Sequence, residues 1–278
     1  MIITEIQGNH FKLDGGALFG NCPRALWQRW YAPDEQNCVQ VTGRAMLVQL
    51  EGQRVLVEAG IGAYMEPRLK DRYGVLDNRH MLLENLRGHD LDHSDIDVVI
   101  ISHLHFDHVG GLLSAWQDDE NCELLFPNAR FLVSRPAWQR ATNPHPRDRG
   151  SYIESLGDLL EGSGRLEIVD GARHPNLPGA FSFQFVDGHT PGMIITELAL
   201  PEGPLLFTAD LIPGMPWMHL PITMGYDRNP ELVVNEKQAV LEQLLARNGS
   251  IFFVHDPSVA IAKVARDSSD KFYGSVGP

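Results

Sequence analysis

Positive charge is in short supply in this sequence. Its 278 residues carry 23 Lys and Arg against 36 Asp and Glu, a formal net charge of −13. A protein that grips a nucleic-acid backbone needs a basic face, so no nucleic-acid partner is expected. Adhesion to an anionic membrane surface is set aside for the same reason. Cysteine is also scarce. Cys22, Cys38 and Cys122 are odd in number and show no CxxC spacing, which excludes both a disulfide framework and a thiolate zinc knuckle. They fit a reducing compartment. No apolar run reaches the roughly 20 residues that a bilayer span requires, and MIITEIQGNHFKL lacks the basic-then-apolar order of a signal peptide. The expectation is a cytoplasmic protein with no membrane partner. No repeat, low-complexity tract or linker rich in Pro, Gly or Ser divides the chain, so one domain over residues 1–278 is expected.

What the sequence does have is histidine in one place. The stretch SHLHFDHVGG, residues 102–111, holds three of the 12 histidines and an aspartate within six residues. Each imidazole brings two polar nitrogens that need partners, so such crowding is a poor way to build a core. The preceding IDVVIIS (96–102) is a continuous apolar run of strand length, and Gly110-Gly111 followed by LLSAW reads as a turn into a helix. The cluster therefore sits on a loop at the end of a buried strand, where binding residues concentrate.

Other strand-like runs are 45–50, 54–60, 129–134, 181–188, 193–200, 204–210 and 250–256. Two pairs read as hairpins, one turning through Glu51-Gly52-Gln53 and one through Pro201-Glu202-Gly203. A helix is clearest at 229–249, with Asn229 as cap, Pro230 in the first turn and Asn248-Gly249 as the stop. Two sheets with helices packed outside them are expected. Several strand ends carry a ligand-type side chain: Glu58, His103, His189, Asp210 and His255. Taken alone, His189 reads as a turn histidine, Asp210 as a cap and His255 as a donor to a carbonyl. Together they complete a donor set of imidazole and carboxylate. On this reading His103, His105 and His189 hold one metal, Asp107, His108 and His255 hold a second, and Asp210 bridges. Two divalent cations are expected, zinc by donor type, with manganese, iron or cobalt also compatible.

HLHFDH (103–108), GHTPGM (188–193), FTADL (207–211) and FVHD (253–256), in that order, resemble the metallo-β-lactamase superfamily. The resemblance implies an α/β fold, the αβ/βα sandwich of two mixed sheets, with a dinuclear centre along one edge. LDGGALFGNCPRALWQRW (13–30), FPNARFLVSRPAW (126–138) and DLIPGMPWMHLPITMGYD (210–227) are similar to the group of quorum-quenching N-acyl homoserine lactonases and methyl parathion hydrolase. What this implies is a metal-dependent hydrolase of lactones or esters, acyl homoserine lactone-like, in which a metal-bridging hydroxide attacks. Asp107 and Asp210 take the catalytic roles, Asp107 orienting the hydroxide and passing a proton to the leaving group. Phosphotriester or thioester hydrolysis on the same site is the alternative. A mononuclear iron oxidoreductase like the persulfide dioxygenases is the reading from a different class. The thiolate zinc pattern of subclass B1 lactamases is absent, no basic C-terminal patch suits glutathione, and the net charge disfavours the superfamily's nucleases.

Two positions depart from the group. Glu58 stands where an Asp is usual, a residue that in the group orients a ligand histidine. Pro213 stands where the best-studied homoserine lactonases carry a Tyr, three residues after the bridging Asp, so the donor to the substrate carbonyl must come from elsewhere. His219 and Tyr226 are the sequence's candidates. Phe106, Met215, Trp217 and Met218 are the candidate apolar wall for an acyl or aryl group, while Trp138 suits core packing equally well. The partner expected is a small-molecule substrate; a homodimer is left open.

Overall fold

The computed structural model describes residues 1–118 and 121–277. Its strands form two mixed sheets of six strands each. The chain divides into two compact units, Met1–Phe11 with Thr42–Pro178, and Lys12–Val41 with Gly179–Pro278. The α/β class with two mixed sheets, expected from the sequence, is the class found.

The first sheet has the order β1 (Ile2–Asp14), β2 (Cys38–Leu50), β3 (Gln53–Val57), β4 (Val98–Ile100), β5 (Arg130–Ser134) and β6 (Leu166–Val169). β2 and β3 are antiparallel, joined where Leu50 pairs with Gln53 across a two-residue turn. Glu51 and Gly52 in that turn have φ of 53° and 80°, the left-handed pair that a tight hairpin demands. From β3 onward the pairs are parallel, and parallel strands buried on both faces read as unbroken apolar runs. That is why IDVVIIS was legible. Leu82 and Leu86 of the helix Met81–Gly88, Ala137 of Arg135–Thr142, and Leu156 and Leu160 of Leu156–Gly162 pack with Leu47, Leu56, Val99 and Phe131 of this sheet. Ser134 caps the second of these helices by accepting from the Ala137 N–H.

The second sheet runs β12 (Phe272–Ser275), β11 (Ile261–Arg266), β10 (Ser250–Phe252), β9 (Leu205–Phe207), β8 (Met193–Leu198) and β7 (Phe181–Val186). β9 and β10 are parallel; the other neighbouring pairs of this sheet are antiparallel. The helix expected over 229–249 spans Pro230–Ala246, with the Asn229 side chain accepting from Leu232 N–H. An aromatic cluster consolidates this unit: Phe19 stacks on Trp27 at 5.2 Å and on Trp217 at 4.7 Å between ring centres.

Four strands, β1, β6, β11 and β12, were not read from the sequence. β11 alternates exposed and buried residues, and β1 mixes both along its length. Such half-buried strands carry too many polar residues to stand out as apolar runs. Elsewhere the regular pairing stops early: β4, β9 and β10 keep three residues each. The residues past these ends form loops and single helical turns instead: Asp107 and His108 lie in the helix Phe106–Val109 and Asp210 in the 3-10 turn Ala209–Leu211, while the helix expected over LLSAW does not form.

Candidate metal centre

The strand ends set the spacing. His103 lies three residues past Ile100, His189 three past Val186, Asp210 three past Phe207 and His255 three past Phe252. Parallel pairing in register then delivers neighbours to one edge. Phe207 pairs with Phe252, so Asp210 and His255 leave the second sheet side by side. Val57 pairs with Ile100, which brings Glu58 beside the start of the histidine loop in the first.

In the first unit the loop is built around Glu58. This residue is 1% exposed and its backbone sits at φ 71°, a strained conformation for a side chain of this size. One carboxylate oxygen accepts from Ser102 N–H at 2.6 Å, the other from His108 Nδ1–H at 2.6 Å. A carboxylate only accepts, so this contact puts the His108 proton on Nδ1 and leaves the lone pair on Nε2. Nε2 faces Asp107 Oδ2 at 3.7 Å. His103 Nδ1 lies 2.9 Å from Ser102 Oγ, and its Nε2 is 3.0 Å from His105 Nδ1. Two imidazole nitrogens turned on each other at that distance suit a shared electrophile. The Gly-Gly that follows is explained by proximity: a Cβ on Gly111 would lie 2.0 Å from the Ala59 carbonyl oxygen. Ala59 N–H donates to the His108 carbonyl and Gly111 N–H to that of Gly60, so the loop is zipped to the exit of β3.

The second unit repeats the device with a different residue. His189 Nδ1–H donates to Asp227 Oδ1 at 2.9 Å, and Asp227 Oδ2 accepts from Met224 N–H at 2.7 Å. The His189 Nε2 lone pair then faces Asp210 Oδ2 at 3.2 Å, while His255 Nε2 faces Asp210 Oδ1 at 3.3 Å. Asp210 thus offers one oxygen towards each imidazole, the disposition of a bridging carboxylate. Ala209, just before it, is at φ 44°. His255 N–H donates to the Pro213 carbonyl, so the proline at that position helps hold the loop after β10.

The donor set fits a divalent cation. Nitrogen and carboxylate oxygen donors without thiolate suit zinc and its first-row neighbours. Histidines whose Nδ1–H is held by a buried carboxylate, with Nε2 turned inward, have the outer partners that metal-ligating imidazoles require. Asp227 and Ser102 were missed by sequence reasoning. Asp227 is 38 residues from His189, and no spacing rule links the two; its presence in the segment 210–227 was the available signal.

The candidate substrate residues separate. Trp217 is 2% exposed, stacked on Phe19 and edge-on to Tyr31 at 5.9 Å, and Met218 is 1% exposed. Stacking covers the Trp217 ring within the second unit. Met215 is half-buried, and His219 and Tyr226 are exposed. Phe106 is half-buried and tilted on Tyr73 at 4.7 Å. Trp138 packs against the core of the first unit.

Two mixed sheets whose strand ends carry imidazole and carboxylate donors define an α/β protein with metal-binding loops. A family model described as the metallo-beta-lactamase superfamily matches residues 40–255, and the chain belongs to that superfamily. N-acyl homoserine lactonase AttM of Agrobacterium fabrum (strain C58 / ATCC 33970) is 28% identical over 141 residues, 49% of each chain. The chain thus spans about half the length of the curated relatives it matches. A probable metal-dependent hydrolase from Staphylococcus aureus superposes with a TM-score of 0.87 at 24% identity, covering 100% of this chain and 98% of that one. AidC, a dizinc quorum-quenching lactonase solved with a product, superposes with a TM-score of 0.78 at 20% identity, covering 99% and 94%. At such identities the likeness shows the fold. No helix among the described residues is long and apolar enough to cross a membrane.

Proposed function

We propose that this chain is a dinuclear metal-dependent hydrolase of lactones or similar neutral esters. In this reading His103, His105, Asp107, His108, His189, Asp210 and His255 serve as the ligands of two divalent cations, with zinc the first choice. The observation that carries this reading is the pair of buried carboxylate–histidine couples, Glu58 with His108 and Asp227 with His189. Each fixes a tautomer that presents Nε2 for coordination, and each costs a buried carboxylate that packing alone does not require.

Bound cations would supply Lewis acidity towards the substrate oxygen and a water acidified towards a pKa of about 7. The chain's own residues do the rest. Glu58 and Asp227 keep the Nδ1 protons in place, so Nε2 is the nitrogen left for coordination. Asp107, whose side chain is 14% exposed, is the carboxylate with access to solvent, suited to take a proton from the nucleophile and pass it to the leaving oxygen. Asp210 turns one oxygen towards His189 and the other towards His255. The names of AttM and AidC support lactones as the substrate class, and the net charge of −13 supports a neutral substrate over an anionic one.

A panel of lactones, esters, thioesters, phosphotriesters and β-lactams on metal-loaded protein tests the reading. Lactones should be the best substrates. Phosphotriester or thioester hydrolysis without lactonase activity would remove the substrate assignment and keep the dinuclear hydrolase. One iron per chain and no hydrolysis would instead point to the mononuclear oxidoreductase.

A further inference from the structure

The first unit contains a cavity of about 580 Å³ that opens beside the histidine loop. Leu104, between His103 and His105, lines it, as does Tyr152. Tyr152 forms a β-bridge with His105, and the two rings meet at 5.2 Å between centres with planes 64° apart. One side chain is therefore shared between the cavity wall and a candidate metal ligand. Of the cavity's apolar lining, Leu104 and Leu156 are buried and Ala141 and Ile153 half-buried, and these form the floor. The lining also carries three exposed carboxylates, Glu154, Asp158 and Glu161, against one cation, Arg149.

The walls are built to persist. Thr142 ends the helix Arg135–Thr142, Gly157 lies in the helix Leu156–Gly162, and the connection between them is tied back by Arg140. Its Nε and Nη2 donate to Asp148 Oδ2 at 3.0 and 2.8 Å, and Asp148 is 8% exposed. A cavity with an apolar floor, a polar mouth and a preformed wall has the build of a small-molecule pocket.

We propose that this cavity seats the non-reacting group of the substrate, and that its carboxylate rim makes it a pocket for a neutral or cationic apolar chain and not an anionic one. The proposal rests on the hydrolase reading for the bond that is cut, and it moves the specificity wall from the covered Trp217 and Met218 to Leu104, Ile153 and Leu156. A chain seated on that floor gains up to about fourfold in affinity per added methylene until the floor is covered. A carboxylate brought within about 4 Å of one rim carboxylate in water loses about fivefold.

The test uses non-hydrolysable straight-chain amides of graded length, ending in methyl, trimethylammonium or carboxylate, titrated calorimetrically into metal-loaded protein. Gly157 provides the blocking variant. A Cβ there would meet only Thr142 Cγ2 at 3.8 Å and the Trp138 ring at 4.0 Å, so Gly157→Leu adds bulk to the cavity without a backbone clash. Affinity should rise with chain length for the methyl and trimethylammonium series and be at least fivefold weaker for the carboxylate series. Glu154→Gln with Asp158→Asn should narrow that gap, and Gly157→Leu should abolish the length dependence with metal content and melting temperature unchanged. Length-independent binding, undetectable binding, equal binding of the carboxylate series, or an unaltered series in Gly157→Leu would each overturn the proposal. Ester turnover is scored separately: amide binding without turnover rejects the hydrolase reading alone, and turnover with length-independent binding rejects the pocket alone.

Discussion

Glu58 Oε2 lies 2.6 Å from His108 Nδ1, both side chains fully buried. This glutamate stands where aspartate is usual in the resembling group, on a backbone at φ 71°. The same carboxylate also takes the Ser102 N–H, so one residue fixes both a tautomer and the start of the loop that carries His103. Asp227 does the corresponding work for His189 through Met224.

Glu58→Gln and Asp227→Asn keep the volume of each side chain and remove its charge. Each should weaken metal affinity by about 10–100-fold, as loss of an outer partner to a ligand histidine typically does. Competition against a chelator of known affinity checks this, with circular dichroism as the control for folding. Affinity equal to wild type in both variants would make these carboxylates bystanders.

Lys237 is fully buried in the second unit, and its ammonium donates to the carbonyls of Trp217, His219 and Ile222. Burial draws its pKa down to about 7, against the opposing pull of Asp227. The side chain ties the helix Pro230–Ala246 to the segment that follows Asp210. Lys237→Met should leave buried carbonyls without this donor and cost on the order of 3 kcal/mol in urea unfolding. A loss below about 0.5 kcal/mol would mean that the segment is held by packing alone.

Burial draws the pKa of His80 down to about 4, while its Nε2–H donates to the Gly111 carbonyl at 3.1 Å. The unfolded imidazole titrates near the ordinary 6.5, so between 6.5 and 4 the unfolded chain binds the extra proton. The stability contributed by this neutral histidine is whole above pH 6.5 and is lost as the pH falls towards 4. The loss attributable to it is up to about 3 kcal/mol. His80→Gln should flatten the pH dependence of unfolding free energy in that window relative to wild type. Parallel slopes for the two proteins would show that His80 titrates alike in the folded and unfolded chains.

The apolar parallel strands other than β6 and the helix capped by Asn229 were legible because apolar runs and caps are local signals. His103, His189, Asp210 and His255 stood out because an apolar run leads up to each, and in the structure each lies three residues past a strand end. Asp227 was not, because its partner is distant in sequence and only folding makes the pair. Trp217 looked like a pocket wall from its neighbours in sequence, yet stacking on Phe19 covers it. The cavity beside Tyr152 is lined from three separate stretches of chain, which no periodicity reveals.

The central claim is a dinuclear hydrolytic centre, and metal content read together with lactone hydrolysis tests it most directly. Protein purified without added metal and then reconstituted should hold two divalent cations per chain by elemental analysis and open acyl homoserine lactones. His105→Ala should hold at most one and lose nearly all of that rate. A single iron in the wild type, or full metal content and rate in His105→Ala, would contradict the account.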